Sequence, residues 1–304
     1  MTIAAAPAIS VAIPAHNEAG VIERTLRALF ASINGAGIEN AEVVVVANAC
    51  TDDTAQVVNR FAHQIADPPA AGVAPRLRVI ETDTPGKTNA LNLADAALTL
   101  FPRWYVDADI AISENAVRDV HASLARPGVC AAAPRMSFDL SQSSAPVCAY
   151  YRTWQRMPYF DHGPLAGAYA LTRDARARWT TWPDVISDDG FARLHFQPHE
   201  RVSVRSASMT VLAPRTWPAL LRIKARSRAG GIELRERFPD LFANEDCAPQ
   251  RSAKRLLRKP ARWPDAAVYA LANLIATRRA RAKLDREIRG ESRSWERDDT
   301  SRAR

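Results

Sequence analysis

Several things are scarce in this chain of 304 residues. Cysteine occurs four times (Cys50, Cys130, Cys148, Cys247) and never as C-x-x-C. That spacing fits buried thiols in a reducing compartment better than a zinc site or a disulfide framework. No apolar run reaches the ~20 residues that a membrane-spanning helix needs. Residues 1–10 hold no Lys or Arg, so they lack the basic flank of a signal peptide. The expected location is the cytoplasm. No G-x-x-x-x-G-K-[ST] occurs, so a Walker-type phosphate loop is absent. An excess of positive charge is missing from most of the chain. The formal net charge is +8 (41 Lys/Arg, 33 Asp/Glu), but residues 251–304 hold 16 basic and 7 acidic residues, which is +9. The rest, 25 basic against 26 acidic, stands at −1, so nucleic acid is not the expected partner of the main domain.

What is present is an alternation of apolar runs, polar loops and amphipathic segments. Ile9–Pro14 is a β-branched run closed by a proline, which reads as a buried strand. Val21, Ile22, Leu26, Leu29, Phe30 and Ile33 follow at helical spacing, and the helix should end near Gly35 or Gly37. Glu42–Ala47 is apolar on both faces, as a parallel sheet requires. A helix through Val57, Val58 and Phe61, a Pro/Ala/Gly loop at 67–75, a strand over Leu77–Ile80 and a glycine turn into a helix at Gly86–Lys87 come next. The stretch Trp104-Tyr105-Val106-Asp107-Ala108-Asp109 then delivers two carboxylates, one residue apart, at the end of a strand. On an extended backbone they share one side. Such a pair of hard oxygen ligands suits a divalent cation that a diphosphate also holds.

This pattern predicts an α/β fold with a mostly parallel central sheet and helices on both faces. Ligands in such sheets sit beyond the carboxyl ends of the strands. His16–Glu18, Asn48–Asp52, Gly86–Asn89 and Asp107–Asp109 all fall at such ends or in the loops that follow.

The ordered set Pro14-Ala15-His16-Asn17-Glu18, Asn48-Ala49-Cys50-Thr51-Asp52-Asp53-Thr54, Gly86-Lys87-Thr88-Asn89-Ala90-Leu91-Asn92 and Asp107-Ala108-Asp109 resembles the family 2 glycosyltransferases of the GT-A fold. The resemblance implies transfer of a sugar from a nucleoside diphosphate, with inversion and with Mg²⁺ or Mn²⁺. It implies donor contacts at Pro14, His16, Asn17, Glu18, Asn48, Asp52, Gly86, Lys87 and Asp107, and a metal on Asp107 and Asp109. Asn48 stands where the family often has an aspartate, so a UDP-sugar is the first expectation and other bases stay open. Asp52 also reads as a helix cap. Asn89 and Asn92 read as loop braces.

Downstream, Gly163–Leu171 resembles the family's glycine-rich segment beside the acceptor, with Gly167, Ala168 and Tyr169 as contacts. An ordinary strand approach is the other reading. Asp188-Asp189-Gly190 matches the family's acidic pair, with Asp189 as general base and Asp188 as helper. A helix-cap pair is the rival. Arg226 and Arg228 lie in a basic segment that the family closes over the donor diphosphate; a solvated helix face is the alternative.

The domain expectation is a catalytic domain over 1–240, with a nucleotide-binding half to 110 and an acceptor half from 111. A basic amphipathic helical extension over 251–288 and a disordered tail over 289–304 follow. The extension runs from Trp263-Pro264 through an apolar segment into Arg278-Arg279-Ala280-Arg281-Ala282-Lys283. It fits an anionic membrane surface or a helix packed on its own domain. The acceptor is expected in a cell-surface glycan or glycolipid. The competing class is a sugar-nucleotide-binding protein, or a nucleotidyltransferase, without glycosyl transfer.

Overall fold

The computed structural model describes residues 8–66, 76–160, 163–245 and 260–288. Cys247, the loop at 67–75, residues 251–259 of the extension and the tail at 289–304 lie outside them. The chain divides into two compact units. One comprises residues 1–137, 165–184 and 199–211, and the other 138–164, 185–198 and 212–304.

The first unit is built on the sheet. Among the described residues eight strands form it: β1 (Ala8–Ala15), β2 (Asn40–Asn48), β3 (Arg76–Thr82), β4 (Arg103–Val106), β5 (Ala111–Ile112), β6 (Ala131–Asp139), β7 (Ala168–Leu171) and β8 (Arg201–Leu212). Their spatial order is β3-β2-β1-β4-β7-β6-β8-β5. The first four are parallel, with Val11 opposite Val43 and Trp104, and Val45 opposite Val79. The pairs β4–β7, β6–β7 and β5–β8 are antiparallel. Consecutive residues Ile9 through Ile13, and Val43 through Val46, have no solvent exposure. Successive strand residues face opposite sides, so both faces of β1 and β2 are covered. The covering helices are α1 (Ile22–Gly35), α2 (Thr54–Ala66) and α3 (Lys87–Ala97), which alternate with the strands, and α4 (Ala116–Leu124) follows β5. The α/β class expected from the sequence is the observed one.

The order also explains where a ligand can reach. β1 lies between β2 and β4, and the chain leaves β1 and β4 in different directions along the sheet. Such a switch point opens a crevice at the carboxyl ends.

In the second unit three helices share a core: α5 (Ala145–Trp154), α8 (Trp217–Arg237) and the helix Trp263–Ile288. Val147, Tyr150, Tyr151, Leu220, Leu221 and Ala272 form its centre. The short helices α6 (Arg173–Arg176) and α7 (Asp188–Leu194) belong to the first and second unit respectively. No helix among the described residues is long and apolar enough to cross a membrane.

Candidate functional site

The first unit gathers the loops that follow β1, β2, β3 and β4. His16 shares a hydrogen bond of 2.7 Å with the Asn48 carbonyl through Nδ1. Asn17 pairs with Thr51 twice, accepting from its N–H at 2.7 Å and donating to its hydroxyl at 3.1 Å. The Glu18 N–H donates to Thr54 Oγ1 at 2.8 Å, and Glu18 is buried. Asp52 accepts from Ala19 N–H and from Thr54 N–H, both at 3.1 Å, so its carboxylate caps the start of α2 and ties it to the β1 loop. Asn17 and Ala49, the second residue after β1 and the first after β2, have φ of +52° and +47°. Non-glycine residues rarely adopt that conformation and are held there only by surrounding bonds, often beside a ligand site. Here the Asn17–Thr51 pair and the Ala49 N–H, donating to Thr82 at 2.7 Å, do the holding.

Asn48 is the brace of this edge. Its Nδ2 donates to the Ala15 carbonyl at 2.7 Å, and its Oδ1 accepts from Gly86 N–H at 3.1 Å. An amide serves both bonds, whereas an aspartate would set a carboxylate against the Ala15 carbonyl. Gly86 has φ +137°, a conformation open to glycine, and it hands the chain into α3 at Lys87.

Lys87 meets the acidic pair directly: its Nζ lies 2.8 Å from Asp107 Oδ1. β4 ends at Val106, and the next four residues turn, with Ile110 N–H donating to Asp107 O at 3.1 Å. The two carboxylates are therefore delivered into a turn, as the loop expected after the strand allows, and the condition of an extended backbone at 107–109 is not met. The reason lies in its anchors. Asp107 N–H donates to Gly167 O at 2.7 Å, and α1 holds the following carbonyls, Thr25 Oγ1 bonding Ala108 O and Arg24 Nη2 bonding Asp109 O, both at 2.8 Å. Gly167 (φ +76°) is where the glycine-rich segment touches this turn; a Cβ there would lie 3.3 Å from Met209 Sδ and 3.4 Å from Ile110 Cδ1. Ala168 pairs with Val106 and Tyr169 with Tyr105, and both are buried. Pro14, near the end of β1, completes the sequence-predicted residues of this unit.

A buried polar cluster supports the turn from behind. Asp95, on α3, accepts from Arg103 Nη1, the Tyr105 hydroxyl and Trp182 Nε1, each at 2.8 Å, and from Arg176 Nη2 at 2.7 Å. Arg103 and Tyr105 lie on β4, so one carboxylate links the helix that begins with Lys87 to the strand that leads to Asp107. Asn92 brackets the Trp182 backbone through two further bonds, and Asn89 bonds Thr84 O at 3.2 Å, so both brace loops as expected. Asp95→Ala is expected to cost on the order of 3 kcal/mol of stability, because it strands two buried guanidinium groups. Denaturant unfolding measures it. Nothing in the sequence marked Asp95 out; an acidic residue in an Ala-rich helix reads as a solvated face.

In the second unit, Asp188 and Asp189 open α7. Asp189 Oδ1 accepts from Ser187 Oγ and from Gly190 N–H, both at 2.7 Å. The loop before α7 is pressed against α8: a Cβ on Gly230 would lie 2.8 Å from Ser187 Cβ, and Glu233 accepts Ile186 N–H at 2.7 Å. Gly230 and Glu233 were not legible as part of this arrangement.

The basic segment at 221–231 lies inside α8, and its members diverge. Arg228 donates to Asn273 Oδ1 at 2.7 Å, while Arg226 is half-buried. Lys224 is buried, with its ammonium 3.2 Å from the Trp154 ring centre and 5.3 and 5.5 Å from those of Tyr150 and Tyr151. Burial, with help from the Arg228 charge, pushes the Lys224 pKa down to about 7 from 10.5. Between these values the unfolded chain keeps a proton that the folded chain has released, so Lys224 makes stability rise with pH from 7 to 10.5 and its penalty is complete below pH 7. Lys224→Met should therefore melt above the wild type at pH 6, and the gap should close toward pH 10. An equal gap at both pH values would show that the aromatic faces hold the charge as well as water does.

The geometry in the first unit is that of a sheet switch point with an acidic turn and a lysine at its carboxyl edge. The sequence model of glycosyl transferase family 2 matches residues 10–171, more than half of the chain. The chain belongs to glycosyl transferase family 2. The matched region runs from β1 to the end of β7 and holds every sequence-predicted residue of the first unit. Among solved structures, the mannosyltransferase PcManGT from Pyrobaculum calidifontis, in complex with GDP-Man and Mn²⁺, is 21% identical, with a TM-score of 0.60 over 95% of this chain and 77% of that one. TarS 1-349 from S. aureus with UDP-GlcNAc is 14% identical, with a TM-score of 0.51 over 95% and 94% of the two chains. The UDP complex of the same protein gives 15%, 0.50, 96% and 95%. At these identities the likeness is one of fold, and the GT-A fold implied by the motifs is the one observed. No curated protein matches the sequence.

Proposed function

We propose that this family member is an inverting glycosyltransferase that moves a sugar from a nucleoside diphosphate, first of all a UDP-sugar, to a hydroxyl of a cell-surface glycan or glycolipid. The supporting observation is the turn at Asp107: it is tied to Gly167 through its backbone and to Lys87 through its side chain, at the edge where the loops after β1 and β2 meet. The catalytic domain of this reading spans 1–240, with donor contacts in the first 110 residues. It places the enzyme in the cytoplasm, peripheral to the inner membrane face.

The residues fit a divalent cation. Asp107 and Asp109 offer hard oxygen ligands, and a cation on this pair would complete its shell from the diphosphate and water. When bound, Mg²⁺ or Mn²⁺ supplies positive charge against the departing diphosphate. Around it, Glu18 and Asn48 orient the nucleoside, with Pro14, His16, Asn17, Asp52 and Gly86 shaping its loops. Lys87, Arg226 and Arg228 lend positive charge toward the phosphates. The acceptor side of this reading lies at Gly167, with Ala168 and Tyr169 as the buried strand behind it, and Asp189 takes the acceptor hydroxyl proton with Asp188 beside it.

A thermal-shift panel of UDP-, GDP- and dTDP-sugars, with and without Mn²⁺, tests the reading. At 100 times Kd a ligand stabilises by about 2.7 kcal/mol, so one donor class should raise Tm with the metal present and release its diphosphate on incubation with acceptor. Absence of any shift across the panel would refute the donor site. A shift without turnover on any hydroxyl acceptor would favour a sugar-nucleotide-binding protein.

A further inference from the structure

The helix Trp263–Ile288 has two faces of different character. Its inner face packs on α5 and α8 through Ala272, Ala276 and Ala280, all without exposure. Tyr269 lies against Tyr150 with ring centres 5.1 Å apart, Arg152 pairs with Asp265 at 2.7 Å, and Asn273 takes the bond from Arg228. Among the described residues, the exposed large hydrophobic side chains are Trp263, Leu271 and Leu274, 53%, 51% and 51% exposed. All three are on this helix. At 3.6 residues per turn they and the exposed Ala267 fall within about 80° of arc, and the same arc continues into Arg278 and Arg281, with Asp285 one turn further on, all three exposed. One stripe thus runs from apolar to basic along a helix whose opposite face is already fastened.

We propose that this stripe docks on the surface of an anionic lipid bilayer, with Trp263, Leu271 and Leu274 in the acyl–headgroup boundary and Arg278 and Arg281 on the acidic headgroups. An aromatic and two leucines beside arginines, on a helix too polar to cross, is the composition of a helix that lies in the interface plane. Each arginine near such a surface adds attraction that salt removes. A second copy of the chain is the poorer occupant. The apolar stretch is about 16 Å long and about 10 Å wide, far short of the ~800 Å² per partner that a stable dimer buries. The reading deepens the membrane-peripheral placement proposed above and stands apart from catalysis, since lipid binding is measured without donor or acceptor.

The test is sedimentation of the full chain with vesicles of phosphatidylcholine alone or mixed with phosphatidylglycerol, at low and high salt. The chain should pellet with the mixed vesicles only, and high salt should release it. Leu271→Glu/Leu274→Glu and Arg278→Glu/Arg281→Glu should each weaken binding about tenfold or more, with Tm unchanged because these side chains face out. Three results would overturn the proposal: no pelleting of the wild type, equal pelleting on neutral vesicles, or both double variants binding like the wild type. So would a wild-type dimer in light scattering that Leu271→Glu/Leu274→Glu converts to monomer, since the face would then belong to a second copy.

Discussion

Asp107→Ala is expected to lower glycosyl transfer by about a thousandfold or more while leaving the fold in place. The size follows from the role. A group that holds the charge-neutralising cation acts where negative charge develops, and loss of such stabilisation amounts to several kcal/mol of barrier. The fold should survive because the Lys87–Asp107 pair is partly exposed (38% on the aspartate side), and such pairs contribute about 0–1 kcal/mol. The turn itself is held by backbone and by Thr25 and Arg24, none of which the substitution touches. The measurements are initial rates with saturating Mn²⁺ and donor, and titration calorimetry of the donor with and without metal. Mn²⁺-dependent donor binding should vanish in the variant, with Tm within a few degrees of the wild type. Full activity in both Asp107→Ala and Asp109→Ala would remove the acidic turn from the mechanism.

Asp189→Asn should lower kcat by about 10²–10⁴-fold, the usual contribution of a positioned general base, with little change in donor affinity. The amide can still accept from Ser187 Oγ and Gly190 N–H through its oxygen, so the cap of α7 is kept and only the proton acceptor is lost. This separates the two readings of the acidic pair. If Asp189 served only to accept the Ser187 and Gly190 bonds in the first turn of α7, whose N-cap is Ser187, the Asn oxygen would accept the same bonds and kcat would stay at the wild-type level. The split between an unchanged donor Kd and a collapsed kcat is the observation that assigns the base.

The parts of the site that local pattern carries were legible. Parallel buried strands announce themselves as unbroken β-branched runs, as in Val43–Val46, and each such run ends in a polar loop. Reading Pro14–Glu18, Asn48–Asp52, Gly86–Lys87 and Asp107–Asp109 as strand ends therefore needed only the sequence and the rule for where ligands sit. Asp52 shows the limit: its cap on Thr54, two residues on, is local, but its bond to Ala19, 33 residues away, is set only by the folded chain. Lys224 shows it again. Among alternating basic residues it reads as one more solvated charge, yet it lies among Tyr150, Tyr151 and Trp154, whose positions depend on how α5 packs against α8.

The amino-acid order alone determined the α/β class, the succession of strands and loops, and the residue types brought to the sheet edge, because these follow from periodicity and from backbone rules acting over a few residues. The folded chain decided the antiparallel placement of β7 beside β4, the anchoring of the turn at Asp107–Asp109, the Asp95 hub behind it and the outward stripe of the helix Trp263–Ile288. Each of these depends on side chains tens of residues apart competing for the same space and the same hydrogen bonds, and no local pattern records the outcome of that competition.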